Sequence, residues 1–223
     1  MPGLFLWIAL GSLAAAAGAV YLNRRAERLR TEAMRQVAGE FGFDFLPAGE
    51  IGLLSELGHF HLFDQGHSKR VTNLMRGATR ELEVTVFDYR FITGSGKNRT
   101  TWTQTVLCFT HAHTDLPAFC LRPENFWHKI GAWFGYGDIN FESHPTFSKR
   151  FHLKGADEEA IRKLFDNEVL NYFDGKAGLS VEGAADRLLF YRASKRVKPE
   201  KVREFMEEGF EILALFRRAA AGT

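Results

Sequence analysis

The feature that most constrains this chain is an uncharged stretch of nineteen residues near its N-terminus, LFLWIALGSLAAAAGAVYL at positions 4–22. As an α-helix it would be about 28 Å long, close to the ~30 Å hydrocarbon core of a bilayer. Four arginines follow almost at once: Arg24, Arg25, Arg28 and Arg30. We therefore predict a transmembrane anchor over residues 1–23, with the lipid bilayer as the partner of residues 4–22.

Two other interpretations of this stretch stay open. A cleaved signal peptide needs a basic N-terminal region, whereas residues 1–3 carry no Lys or Arg, although the alanines at 14–17 could supply a cleavage site. A buried helix of a soluble protein is the second alternative. If the stretch is an anchor, the arginines after it hold the C-terminal side in the cytoplasm, which predicts a single-pass membrane protein with a cytoplasmic domain.

Composition excludes some partners. The chain has 29 basic and 27 acidic side chains, a net charge of +2, so no strong field attracts nucleic acid. Its two cysteines, Cys108 and Cys120, are too few for a structural zinc site, and a cytoplasmic location argues against a disulfide between them. We expect no cofactor.

The basic flank continues a helical pattern. Leu29, Ala33 and Val37 recur at four-residue steps, which predicts an amphipathic stalk helix over residues 24–40. Its arginines could touch anionic lipid headgroups, although they could equally serve only to fix the topology. Each of these roles places them at the membrane surface.

Strand patterns follow the stalk. Segments rich in Val, Thr, Phe and Tyr, joined by short loops, predict antiparallel strands at 71–75, 81–92, 100–110, 118–121, 147–153, 179–182 and 187–192. Helices are predicted over residues 157–173 and from Pro199 onward. The fold class is α+β, a curved antiparallel sheet with helices packed on one face, in a soluble domain over residues 41–218 before a short tail at 219–223.

Two histidine pairs are the candidate metal ligands. His59 and His61, and likewise His111 and His113, would each place two imidazoles on one face of a strand. Such pairs are weak signals, and both lie at the predicted ends of elements, where polar residues are common. Surface histidines without metal are the simpler interpretation.

Other catalytic patterns are absent from the sequence. The glycine-rich loop at residues 94–100 lacks the Walker spacing and leads into a strand, so it is interpreted as a hairpin tip. Ser95, Ser148 and Cys108 lie in no nucleophile-elbow motif. Glu124 and Asp138 flank an aromatic segment, but packing under a long loop explains them equally well.

Several runs carry a family resemblance. They are FDYRFITGSGKNRTTWTQTV at 87–106, LPAFCLRPEN at 116–125, DINFESHPTFSKRFHLKG at 138–155 and the helix DEEAIRKLF at 157–165. Together they resemble an uncharacterised family of bacterial proteins in which an N-terminal membrane helix precedes a soluble domain. The resemblance implies a bacterial, membrane-associated protein and no assigned activity.

Two functions from different classes remain. The first is a membrane-tethered cytoplasmic module that binds protein or lipid without catalysis, for which the aromatic residues Phe126, Trp127, Trp133, Phe134 and Tyr136 are the predicted binding surface. The same aromatics could instead be core. The alternative is a metal-dependent enzyme that uses the two histidine pairs.

Overall fold

The chain begins with one long helix, α1 (Pro2–Phe41). The computed structural model describes residues 2–124 and 137–221, with the backbone alone for residues 2–14. Because no Pro or Gly lies between Leu22 and Val37, the helix continues from the predicted anchor into the predicted stalk without a break.

The predicted membrane span is not supported by the structure. Among the described residues, no helix is both long enough and apolar enough to cross a bilayer. The side chains of residues 4–14, more than half of the predicted span, lie outside that description.

Eight strands of the described chain form a single antiparallel sheet in the order β1-β2-β3-β4-β8-β7-β5-β6. The strands are β1 (Asp44–Leu46), β2 (His67–Ala78), β3 (Leu82–Thr93), β4 (Thr100–His111), β5 (Leu116–Pro123), β6 (Phe151–Gly155), β7 (Ser180–Ala185) and β8 (Arg187–Tyr191). The register shifts between Thr72 and Met75 in β2 and between Leu116 and Phe119 in β5. Such bulges increase local twist and bend a sheet. The predicted α+β class with a curved antiparallel sheet is confirmed.

The longer helices cover one side of the sheet, which we name the helical face. Its core joins Leu107 and Phe109 of β4 to Met34 and Ala38 of α1. The other helices that pack there are α4 (Pro145–Arg150), α5 (Glu158–Leu164), α6 (Asn167–Asp174) and α7 (Val202–Ala221).

The other side of the sheet, which we name the opposite face, is also covered in part. Two one-turn helices, α2 (Leu53–Glu56) and α3 (His61–Asp64), pack there in a second core with Phe87 and Tyr89 of β3 and Leu189 of β8. The prediction that helices lie on one face is therefore incomplete, because the short apolar run before β2 shields the second face.

Two predicted elements differ from the structure. The strand predicted over residues 147–153 begins only at Phe151, because Pro145 stands in the first turn of α4 and pre-sets helical φ. The helix predicted over residues 157–173 is two helices. Asp166 caps the second of them by accepting a hydrogen bond from the Val169 N–H, and this restarts the helix after Leu164.

We expect two glycine substitutions within helices to have opposite effects on stability. A Cβ at Gly209 in α7 would lie 2.2 Å from Leu107 Cδ2 and 3.3 Å from Phe190 Cδ1, whereas a Cβ at Gly39 in α1 would meet nothing within 4 Å. Gly209→Ala should lower the free energy of unfolding by about 1–3 kcal/mol through overpacking. Gly39→Ala should raise it by about 0.5–1 kcal/mol through helix propensity.

Urea denaturation of the two variants and the wild type in one mild detergent measures both effects. If Gly209→Ala were as stable as Gly39→Ala, the close packing of α7 on β4 would be wrong.

Candidate functional site: a polar groove between the first helix and the sheet

A groove of about 810 Å³ lies between α1 and strands β2, β3 and β4 on the helical face. Asn23 lines it at the position that follows the apolar stretch, and Arg70, Arg90 and Thr103 line it from the sheet. The remaining lining residues are Glu27, Arg28, Thr31, Glu32, Pro47, Thr72, Asn73, Asp88, Tyr89, Thr101 and Arg196. The groove is therefore walled mainly by charged and hydroxyl side chains.

Asp88 forms the floor of the groove and is 2 % exposed. Arg30 of α1 donates to both of its carboxylate oxygens, from Nε at 2.7 Å and from Nη2 at 2.8 Å. Asn73 Nδ2 donates at 2.9 Å and Thr105 Oγ1 at 2.8 Å. A buried carboxylate needs such partners, and four donors from three elements satisfy this one.

The bulge in β2 places one of those donors. Asn73 has a φ of 52°, a left-handed conformation that asparagine tolerates better than most residues. Its backbone N–H donates to the Pro47 carbonyl, and its side-chain oxygen accepts from Thr31 Oγ1 at 2.8 Å. The bulge thus turns an amide toward both Asp88 and α1.

A second ion pair lies in the groove lining. Arg196 donates from both terminal nitrogens to Glu27, at 2.8 and 2.9 Å. The loop that carries Arg196 is fixed to the sheet, because Val197 N donates to Thr105 Oγ1 and Thr105 N donates to the Lys195 carbonyl. The Glu27 carboxylate raises the pKa of the Arg196 guanidinium, so this contact holds a full positive charge.

We expect the buried pair under the groove to control the docking of α1. Asp88→Ala leaves the Arg30 guanidinium, 12 % exposed, without its carboxylate, and should lower the free energy of unfolding by about 3–5 kcal/mol. The control is Glu159→Ala, which breaks an exposed pair with Lys163 and should change the free energy of unfolding far less.

Urea denaturation measures the loss, and limited trypsin cleavage after Arg30 and Arg35 reports whether α1 detaches. Equal losses in the two variants would contradict the assigned importance of Asp88.

A smaller cavity of about 210 Å³ lies on the opposite face, lined by residues that include His61, Cys120 and Glu182. Glu182 is 1 % exposed and pairs with Arg122 at 3.1 Å. Tyr191 Oη donates to the same carboxylate at 2.7 Å, and the backbone N–H of Leu62 donates at 3.2 Å. This second buried pair holds α3 against β7.

Burial sets the ionisation states of His61 in the smaller cavity and of the two cysteines. It lowers the pKa of His61 to about 4, with Arg122 adding to the effect, so the imidazole is neutral at pH 7. Burial raises the pKa of the Cys108 thiol to about 12 and raises that of Cys120 further. Neither thiol is a thiolate at neutral pH, which disfavours nucleophilic chemistry at these positions.

We expect His61 to make stability depend on pH. The unfolded chain takes up a proton near pH 6.5, whereas the folded chain does so only near pH 4. The contribution of His61 is therefore complete above pH 6.5 and is lost as the pH falls toward 4. Between pH 7 and 4.5 the wild type should lose about 2–3 kcal/mol more than His61→Gln.

Urea denaturation at several pH values measures this difference. The exposed neighbour supplies the control, because His59→Gln should keep the wild-type pH dependence. A His61→Gln variant with an unchanged pH dependence would contradict the buried, neutral imidazole.

The histidine pairs do not form the predicted strand-face ligand sets. His59 lies in a turn and His61 begins α3, while His111 ends β4 and His113 follows in a turn. Burial lowers the pKa of His111, and Thr114 Oγ1 lies 3.0 Å from its Nδ1. No group of three or more His, Cys, Asp or Glu within the described residues could hold a metal ion.

The other predicted site residues have different outcomes. Phe126, Trp127, Trp133, Phe134 and Tyr136 lie outside the described residues, so that predicted surface stays a prediction. Arg24, Arg25 and Arg28 are exposed on α1, as membrane-flanking residues would be. Arg30 instead turns inward to Asp88. The membrane-flanking role of Arg30 stays a prediction, and its guanidinium is held by the buried carboxylate.

Sequence reasoning missed the residues that build both sites. Asp88, Arg122 and Glu182 are each charged residues inside strands, and each is 2 % exposed or less. The available signal was a charge within an otherwise apolar strand, because such a charge is buried only with a partner. The identity of each partner depends on the strand order, which local pattern does not give.

The fold is similar to that of a solved bacterial protein. It aligns with the crystal structure of the mycobacterial trehalose monomycolate transport factor A, TtfA, at a TM-score of 0.60, over 85 % of this chain and 93 % of that one. The two sequences are 14 % identical, so the similarity concerns the fold alone. No protein-family model and no curated protein sequence matches this chain.

Proposed function

We propose that this protein is a membrane-associated factor with a lipid-related, non-catalytic role, anchored by the first part of α1. The observation that carries the proposal is the way α1 leaves the domain. Its second half is docked on the sheet, with Met34 and Ala38 fully buried. Just before the docked part, Val20, Tyr21 and Leu22 are 51 %, 66 % and 62 % exposed.

A row of exposed apolar side chains on a projecting helix needs a partner. Residues 15–22 are exposed, and none of them is basic or acidic. The uncharged sequence extends back to Leu4, which gives the helix the length of a bilayer core. A bilayer is therefore the occupant that we propose for this part of α1, and residues 24–40 become the stalk that joins it to the domain.

The charges that follow indicate the orientation. Arg24, Arg25 and Arg28 are exposed immediately after the apolar stretch. Under the positive-inside rule they hold the domain on the cytoplasmic side of a bacterial inner membrane. A protein partner at the aromatic residues 126–136 would be met on that side.

The similarity of fold supports a lipid-related role. The aligned protein is named for the transport of trehalose monomycolate, a lipid, and is described as a factor. Two features of this chain also favour binding over catalysis. Its buried ion pairs fix the segments that cover the sheet, and its thiols are protonated at neutral pH.

Two arginines placed within the apolar stretch should release the protein from membranes. At the centre of a membrane helix each arginine costs about 2.5–3.5 kcal/mol. We expect Leu10→Arg/Leu13→Arg to move the full chain out of the membrane fraction that resists carbonate extraction. The control is Leu29→Arg on the stalk. Leu29 is 63 % exposed, so this variant should remain with the membrane.

Immunoblots of the extracted and pelleted fractions report the outcome. Recovery of the wild-type chain in the carbonate-soluble fraction would overturn the proposed anchor.

A further inference from the structure

Two arginines lie side by side on adjacent strands in the groove lining. Arg70 of β2 is the direct register partner of Arg90 of β3, and both line the groove. Side chains in such a pair have Cβ atoms about 5 Å apart, and like charges directly opposite are destabilising. Among the described residues, neither guanidinium forms an ion pair or side-chain hydrogen bond. The sheet thus holds two positive charges together without a neutralising group.

The acidic residues of the groove are already engaged. Asp88 is satisfied by Arg30, Asn73 and Thr105. Glu27 is held by both terminal nitrogens of Arg196.

The third acid, Glu32, lies with its Oε2 3.5 Å from Nε of Arg35, a residue outside the groove lining. Arg28 of α1 also lines the groove, and within the described chain it has no ion pair or side-chain hydrogen bond. Three guanidinium groups, one on the helix and two on the sheet, therefore line the groove without an acidic partner among the described residues.

Hydroxyl groups complete the lining. Thr103 of β4 is the register partner of Arg90, so it continues the row of Arg70 and Arg90 across a third strand. Thr72 and Thr101 line the same groove. Planar guanidinium forks with nearby hydroxyl donors match the oxygen geometry of a phosphate group.

The position of the groove identifies the source of the phosphate. Asn23, which lines it, directly follows the apolar stretch, and Arg28 lies six residues after Leu22, about 9 Å along the helix. With residues 4–22 in a bilayer, the groove opens at the depth of the lipid headgroups. We propose that the groove binds the phosphate of an anionic phospholipid through Arg28, Arg70 and Arg90, an inference that rests on the proposed membrane anchor.

Titration of the full chain with dihexanoyl phosphatidylglycerol in a zwitterionic detergent, followed by calorimetry, tests the site. Arg70→Gln/Arg90→Gln should weaken binding by about tenfold or more, because two charge-assisted contacts are lost. Its matched control, Arg80→Gln/Arg217→Gln, removes the same charge from exposed positions outside the groove lining and should bind as the wild type does. Equal weakening in the two double variants would overturn the proposal.

Three further measurements separate the ligand classes and the folding effect. Dihexanoyl phosphatidylcholine should bind at least tenfold more weakly than phosphatidylglycerol, and equal binding would overturn the preference for an anionic lipid. Inorganic phosphate should compete only at much higher concentration. If it binds as tightly as the lipid, the site is one for free phosphate.

The urea midpoint of Arg70→Gln/Arg90→Gln should equal or exceed that of the wild type, because the variant removes a repulsive pair of like charges. A lower midpoint would contradict the unpaired arginines.

Carbonate extraction of the two arginine double variants distinguishes failure of the phosphate site from failure of the proposed membrane anchor. A chain that stays in the membrane but shows no preference for phosphatidylglycerol overturns the site alone. A chain that is released from membranes yet binds the short-chain lipid through Arg70 and Arg90 overturns the anchor and retains the phosphate site.

Discussion

The position of the first helix depends on one buried carboxylate. Asp88 stands in the middle of β3, and its oxygens are reached by a helix residue, a bulge residue and a neighbouring strand. A buried ion pair is not by itself a source of stability, because desolvation opposes the Coulombic attraction. The pair instead selects one position of α1, because Arg30 reaches Asp88 at only one register of the helix along the sheet. The groove exists because the helix is held at that register.

A similar buried ion pair lies on the other side of the sheet. Glu182 of β7 is buried on the opposite face with Arg122, and it accepts a hydrogen bond from the Leu62 N–H of α3. Among the described residues, each face therefore carries one buried carboxylate that fixes one covering segment by a directional contact. Apolar packing alone tolerates sliding between smooth surfaces, whereas a desolvated charge without its partner costs several kcal/mol. The two buried ion pairs thereby determine which segment of the chain covers each core.

The pattern of the sequence predicted most of the sheet and little of the site. Strands β2 to β5 follow from β-branched and aromatic residues, whereas Asp88, a charge inside an apolar strand, was not predicted as a site residue. Local pattern could not assign Arg30 to Asp88, because 58 residues separate them. It also gave no sign of the ion pair that Arg30 forms, since a guanidinium just beyond an apolar stretch suits a membrane surface as well as a buried carboxylate. The helix at Pro145 was missed because apolar spacing there fits a strand too.

The continuity of α1 gives the buried pair its functional meaning. A helix that runs unbroken from the apolar stretch into the docked segment fixes the direction of one relative to the other. No Gly or Pro between residues 22 and 37 provides a hinge. Asp88 and the Glu27–Arg196 pair fix the sheet to that helix at two points. If the apolar part is held by a bilayer, the sheet is held at a defined angle to it. A flexible linker would leave the groove free to turn away from such a bilayer, whereas a continuous helix would keep Arg70 and Arg90 at one depth.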